Sequence, residues 1–109
     1  MEQQTDWDIT VEDLQKLRNE ANEHILLDVR ERHEFEICNL GGELIPLATL
    51  AQRLGDLDPA AHTVVHCRSG PRSANAVNAM RQAGFSNVWN LNGGILAWID
   101  RIDPSLTPY

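Results

Sequence analysis

Cysteine is scarce in this chain of 109 residues. Cys38 and Cys67 are the only two, too few for a disulfide framework. One bridge between them is possible on paper, but without secretory features two free thiols in a reducing cytoplasm are expected. Neither the cysteines nor the 4 histidines show a spacing such as C-x-x-C, so no metal is expected. Long apolar runs are also missing: the longest, Ile95 to Ile99, is far short of the roughly 20 residues of a membrane helix. The first residues, MEQQTDWDIT, are polar and acidic, unlike a signal peptide. Positive charge is in deficit, with 9 Lys and Arg against 16 Asp and Glu, a net charge of −7 and a pI near 4.9. That balance argues against nucleic acid or an anionic membrane as a partner and makes any local cluster of arginines conspicuous. No repeat, low-complexity tract or linker interrupts the chain. Its length fits one domain over 1–109, with an irregular tail over about 101–109, and a monomer is expected.

Strands and helices alternate in what remains. Thr10, with Asp13 three residues later and a stripe of Val11, Leu14, Leu17 and Ala21, predicts a capped helix over 11–21. Ile25 to Val29 is an apolar run broken by one carboxylate, the pattern of a buried parallel strand. A short helix is expected over 32–38, a strand at Leu44-Ile45 stopped by Pro46, and a short helix over 50–54. Thr63 to His66 is the next buried strand, followed by a helix over 73–83 that Gly84 caps. A strand over 87–91, a Gly93-Gly94 turn and a helix beginning with Ile95 to Ile99 complete the chain. The class is α/β: a three-layer sandwich with a mostly parallel sheet of about five strands between helices.

The chemistry concentrates in His66-Cys67-Arg68-Ser69-Gly70-Pro71-Arg72-Ser73. In an open α/β sheet the ligand site lies beyond the carboxyl ends of the strands, where Cys67 is placed. Gly70 permits a tight turn and Pro71 suits a first helical position. The loop therefore wraps backbone N–H groups around the sulfur at a helix N-terminus, which lowers the thiol pKa and favours a thiolate or persulfide. Arg68 and Arg72 are expected to flank an exposed mouth and guide an anionic donor. His66 lies next to Cys67, but successive strand side chains point to opposite faces, so it is read as a packed residue rather than a base. His24, His33 and His62 are assigned no catalytic role. The implied chemistry is attack by an anion-stabilised cysteine with no proton-shuttling partner.

The order of motifs resembles the rhodanese-like sulfurtransferases over nearly the whole chain. It runs from Ile9-Thr10-Val11-Glu12-Asp13-Leu14 through Leu27-Asp28-Val29-Arg30-Glu31 and Glu34-Phe35-Glu36-Ile37 to the Cys67–Ser73 stretch. It closes on Ala83-Gly84-Phe85 and Leu91-Asn92-Gly93-Gly94-Ile95-Leu96-Ala97-Trp98. Each piece alone is weak; in this order and spacing they are specific. The resemblance implies a persulfide carried on Cys67 within a six-residue loop, Cys67 to Arg72. Arg68, Ser69, Gly70, Arg72 and Ser73 would bind the substrate, and Asp28 and Arg30 would support the loop. Cysteine phosphatases of related fold use a loop one residue longer, so a phosphatase or arsenate reductase is disfavoured.

The run Ile37 to Leu47 and the ending Ala97 to Leu106 are most similar to the C-terminal rhodanese domains of adenylyltransferases that activate ubiquitin-fold sulfur carriers in molybdopterin and thiamine synthesis. No adenylating domain precedes it here, so the chain either stands alone or is a fragment. The resemblance implies no cofactor beyond the covalent persulfide. It implies a small-molecule sulfur donor such as thiosulfate, a thiol or cyanide acceptor, and a sulfur-carrier or sulfur-donor protein as a further partner. A rhodanese-fold docking or regulatory module is the alternative. Cys38 is read as a packed helix residue, with a relay thiol as the other option.

Overall fold

The computed structural model describes residues 7–21 and 23–109; the stretch read as polar at 1–6 lies outside them. Five strands form one sheet: β1 (Asp8–Ile9), β2 (Ile25–Asp28), β3 (Glu43–Leu44), β4 (Thr63–His66) and β5 (Val88–Leu91). Their order is β1-β5-β4-β2-β3, and every pairing is parallel. Five helices connect them: α1 (Val11–Asn19), α2 (Arg32–Ile37), α3 (Leu47–Arg53), α4 (Pro71–Gln82) and α5 (Gly94–Arg101). A 3-10 turn, Leu54–Asp56, follows α3. The α/β sandwich read from the sequence is the architecture observed.

Alternation along the strands splits the interior into two cores. Leu27, Val65 and Val88 meet Leu50, Ala76, Val77 and Met80 of α3 and α4. On the other face, Val64 and Leu91 meet Val11 and Leu14 of α1 and Ile95, Trp98 and Ile99 of α5. β4, flanked by β2 and β5, is buried along its whole length. That continuous burial is why its sequence reads as an uninterrupted β-branched run.

The boundaries differ most from the sequence reading in four places, and by one residue in several others. Thr10 and Asp13 form the expected capping box, a cap worth about 1 kcal/mol. The helix nevertheless ends at Asn19, and Ala21 adopts φ 54° in the left-handed region instead of extending the stripe. The second short helix begins at Leu47, directly after Pro46, three residues earlier than its apolar spacing suggests. α4 begins at Pro71 rather than Ser73, since the fixed φ of proline suits the first helical position. The two-residue strand β1 carries too little pattern to be read, and it pairs with Asn90 and Leu91 at the sheet edge. Beyond α5 the tail is irregular, but it does not simply follow the surface: Leu106 and Tyr109 pack against the α1/α5 core.

Candidate active site

β4 delivers Cys67 at its carboxyl end, and two helix N-termini converge on the loop that follows. α4 starts within the loop at Pro71, after Gly70 has turned the chain with φ 125°, a conformation closed to most L side chains. The first turn of α5 grips the loop from outside. The Ile95 N–H donates to the Cys67 carbonyl and the Leu96 N–H to the Arg68 carbonyl, each at 3.0 Å. Gly94 makes this approach possible: a Cβ there would stand 2.5 Å from the Arg68 carbonyl oxygen. With those carbonyls held outward, the loop turns its donors toward the sulfur. Gly70 N–H lies 3.1 Å from Cys67 Sγ, and the N–H and hydroxyl of Ser73 each lie 3.4 Å away.

Burial alone would push the Cys67 thiol up. Hydrogen bonds from the Ser73 hydroxyl and from the N–H groups of Ser73, Gly70 and Ser69 outweigh it and hold the thiol below its ordinary value. The cradle therefore keeps several donors although Pro71 contributes none. Cys67 is 0% exposed, however, so the open mouth expected from the sequence is not what the structure shows. The loop closes over the Cys67 sulfur, while Arg68 and Ser69 face outward.

The two loop arginines are already engaged. Arg72 makes a bidentate ion pair with Glu34 of α2, at 2.7 and 2.9 Å. The Arg72 bond is the main reason the Glu34 carboxyl sits at about 2, against opposition from burial. Arg68 donates to the main-chain oxygen of Tyr109 and lies over that ring, 5.1 Å from its centroid. Neither guanidinium projects freely into the space above the sulfur, which is where an anion-guiding role would place it.

Asp28 and Arg30 form the base of the site, both fully buried. Asp28 Oδ1 accepts from the Arg30 backbone N–H at 3.0 Å and from Nε at 2.9 Å, and Oδ2 accepts from Nη2 at 2.8 Å. Arg30 also donates to the Cys38 carbonyl at 2.7 Å and the Tyr109 hydroxyl at 2.8 Å. The Tyr109 hydroxyl donates in turn to Glu34 Oε1 at 2.9 Å. Asp28 and Arg30 thus reach the loop through Glu34–Arg72, through Tyr109–Arg68 and through His66, whose Nε2 lies 3.6 Å from Asp28 Oδ2. His66 is fully buried across the strand pair from Asp28. Its Nδ1 stands 3.3 Å from the Cys67 carbonyl and its Nε2 has no hydrogen-bond partner. Burial lowers its pKa, so it packs as a neutral ring.

Cys38 and Cys67 are both free thiols, and they belong to different cores. Four residues that contribute to the site were not singled out from the sequence: Glu34, Tyr109, Asn90 and Asp8. Glu34 appears there only inside a motif. Asn90 Oδ1 accepts from the Ser73 hydroxyl at 2.5 Å, and its Nδ2 donates to Asp8 at 3.2 Å. Among the described residues, no His, Cys, Asp and Glu cluster could hold a metal ion, and no helix is long and apolar enough to cross a membrane.

Comparison with known proteins agrees with this geometry. The chain matches the family model of the Rhodanese-like domain over residues 10–101. It is similar to the "Adenylyltransferase and sulfurtransferase MOCS3-2" of Zea mays, 35% identical over 109 aligned positions that cover 93% of this chain and 23% of that protein. The "Probable adenylyltransferase/sulfurtransferase MoeZ" of Mycobacterium tuberculosis is also 35% identical, over 104 positions covering 93% of this chain and 26% of its own length. The chain thus spans about a quarter of the length of these curated relatives. Among solved structures, a rhodanese-related protein from Thermoplasma volcanium superposes with a TM-score of 0.79 at 30% identity, covering 88% of this chain and 93% of that one. These likenesses support sulfur transfer in general, without specifying a donor or an acceptor.

Proposed function

The chain belongs to the rhodanese-like family, and on that premise we propose that it moves sulfane sulfur through a persulfide on Cys67. The observation that carries this reading is the ring of donors around Cys67 Sγ from Gly70 and Ser73. Such a ring stabilises a sulfur anion in place, without a neighbouring base. With thiosulfate as donor, the Cys67 thiolate attacks the outer sulfur. The S–S bond of the donor breaks and sulfite leaves with its electron pair, so a Cys67 persulfide anion forms. A cyanide or thiolate acceptor then attacks the terminal sulfur and leaves Cys67 as the thiolate again. Because Cys67 is fully covered, the donor reaches the Cys67 sulfur only as the loop opens, and Arg68 and Arg72 are the cations freed if their pairs part. A sulfur-carrier or sulfur-donor protein is the partner the curated relatives suggest.

A second reading, a docking module in which turnover is incidental, draws on one fact: both loop arginines are held within the chain. Intact-mass measurement after incubation with thiosulfate separates the two. The native chain should gain one sulfur atom and Cys67→Ser should gain none. No gain on the native chain overturns the transferase reading and leaves the docking module.

A further inference from the structure

The hydroxyl of Ser73 has one proton and three acceptors within reach. Asn90 Oδ1 lies at 2.5 Å, the Gly70 carbonyl at 3.0 Å and Cys67 Sγ at 3.4 Å. Asp8 decides between them. Its carboxylate can only accept, so the Asn90 amide must turn Nδ2 toward it, across 3.2 Å. That orientation points Oδ1 at Ser73. An amide oxygen also only accepts, so Ser73 must donate to it. While that bond is made, Ser73 offers Cys67 lone pairs, and the matching partner is a neutral S–H. A thiolate needs the opposite arrangement, with the hydroxyl turned to Sγ and the Asn90 oxygen left without its donor. Asn90 is only 7% exposed, so water does not readily replace that donor.

We propose that Asn90, locked by Asp8, is a positioning residue that holds the Ser73 proton away from the Cys67 sulfur at rest. The thiol is favoured while the hydroxyl faces Asn90, and a thiolate gains its hydroxyl donor, beside the Gly70 and Ser73 N–H groups, only when that hydroxyl turns to Sγ. The inference rests on the reading of Cys67 as the nucleophile. The depressed thiol described above counts Ser73 as a donor; Asn90 sets what is given up to obtain it.

The other charged and titratable side chains around the thiol are Arg72 of α4 with Glu34 of α2 behind it, Arg68 held by Tyr109, and His66 of β4 against the Cys67 carbonyl. All of these keep their partners when residue 90 changes, and Asp8 alone loses one.

The test is the pH profile of Cys67 alkylation by iodoacetamide, followed by mass in a Cys38→Ala background. Asn90→Leu keeps the branched shape, with somewhat more bulk, and removes the competing acceptor. One neutral hydrogen bond is worth about 1 kcal/mol, so alkylation near neutral pH should rise about fivefold and its midpoint should move to lower pH. In a Ser73→Ala background the same substitution should change nothing. Asp8→Ala, which frees the amide to rotate and offer Nδ2 to Ser73, should act in the same direction. The part of its effect carried by the hydroxyl should vanish without Ser73, leaving only the loss of the Asp8 charge. Damage to the cradle would instead slow alkylation and raise the midpoint. That outcome overturns the proposal, as does a shift that survives Ser73→Ala. If Asn90→Leu does not fold, the Asp8→Ala cycle decides alone. Sulfur loading plays no part in this readout, so failure here and failure of the persulfide reading are told apart.

Discussion

The carboxyl and amino halves of the sheet are built on different terms. Beneath α1, toward the amino half, lies a groove of about 380 Å³ lined by Ile9, Leu17 and Trp89, with Asp13, Lys16, Glu20 and His62 among its polar walls. At the carboxyl ends, Cys67 and the residues packed beneath its loop, Asp28, Arg30 and His66, show no surface at all. This groove and the buried thiol thus occur in different places. The contrast fits the proposed transfer of one sulfur atom, for which a tight ring of donors suffices and a roomy cleft would leave those donors to water.

The largest expected effect falls on the buried base of the carboxyl end. Arg30→Met leaves Asp28 unpaired in the interior and should lower the unfolding free energy by about 3–5 kcal/mol, read from urea denaturation. A loss of below about 1 kcal/mol would erase the contrast between the two halves. Next comes Gly94→Ala, which drives a Cβ into the Arg68 carbonyl. Sulfur loading of Cys67 should slow by at least tenfold, equivalent to about 1.4 kcal/mol of barrier, while the fold survives. Unchanged loading would show that the grip of α5 on the loop is not needed.

The third effect is pH-dependent. Glu34 sits at about 2 against an ordinary 4.5. Its folded value is depressed, so its contribution to stability is complete above 4.5 and is lost as pH falls toward 2. Urea midpoints of the native chain and of Glu34→Gln should therefore differ at pH 6 and converge on acidification, to about pH 2. A constant gap across that range would mean the Arg72 pair is not the source. The smallest effect belongs to the amino half: Lys16→Ala in the groove should change stability by no more than about 0.5 kcal/mol and leave sulfur loading as it was. A clear loss of loading there would join the two halves functionally.

Local pattern explains which parts of the molecule are legible in one sequence. β4 is read closely because burial on both faces demands an apolar run, β2 because only its last residue, Asp28, breaks one, and Thr10 announces α1 through a bond to its own neighbourhood. The donors around Cys67 are legible for the same reason, since Gly70 and Ser73 lie within six residues of it. The pairings around the site are not. Arg30 meets Tyr109 across 79 positions and Arg72 meets Glu34 across 38, and no local periodicity encodes such partners. Two arginines beside a cysteine read as free cations because the carboxylate and the tyrosine that occupy them are remote in sequence. The expected open mouth failed with them.

The hold of α5 on the loop also has a meaning in time. The carbonyls that must point outward for the sulfur to be ringed are fastened by Ile95 and Leu96, roughly thirty positions after Cys67. Those two bonds make the shape of the stretch from Cys67 to Arg72 depend on residues that are made later and dock from outside it. The thiol is then expected to gain its activated character when α5 docks, and not before. A chain halted before Gly94 should accordingly react with iodoacetamide at the rate of an unstructured cysteine peptide, and a faster rate would show that the loop shapes itself unaided.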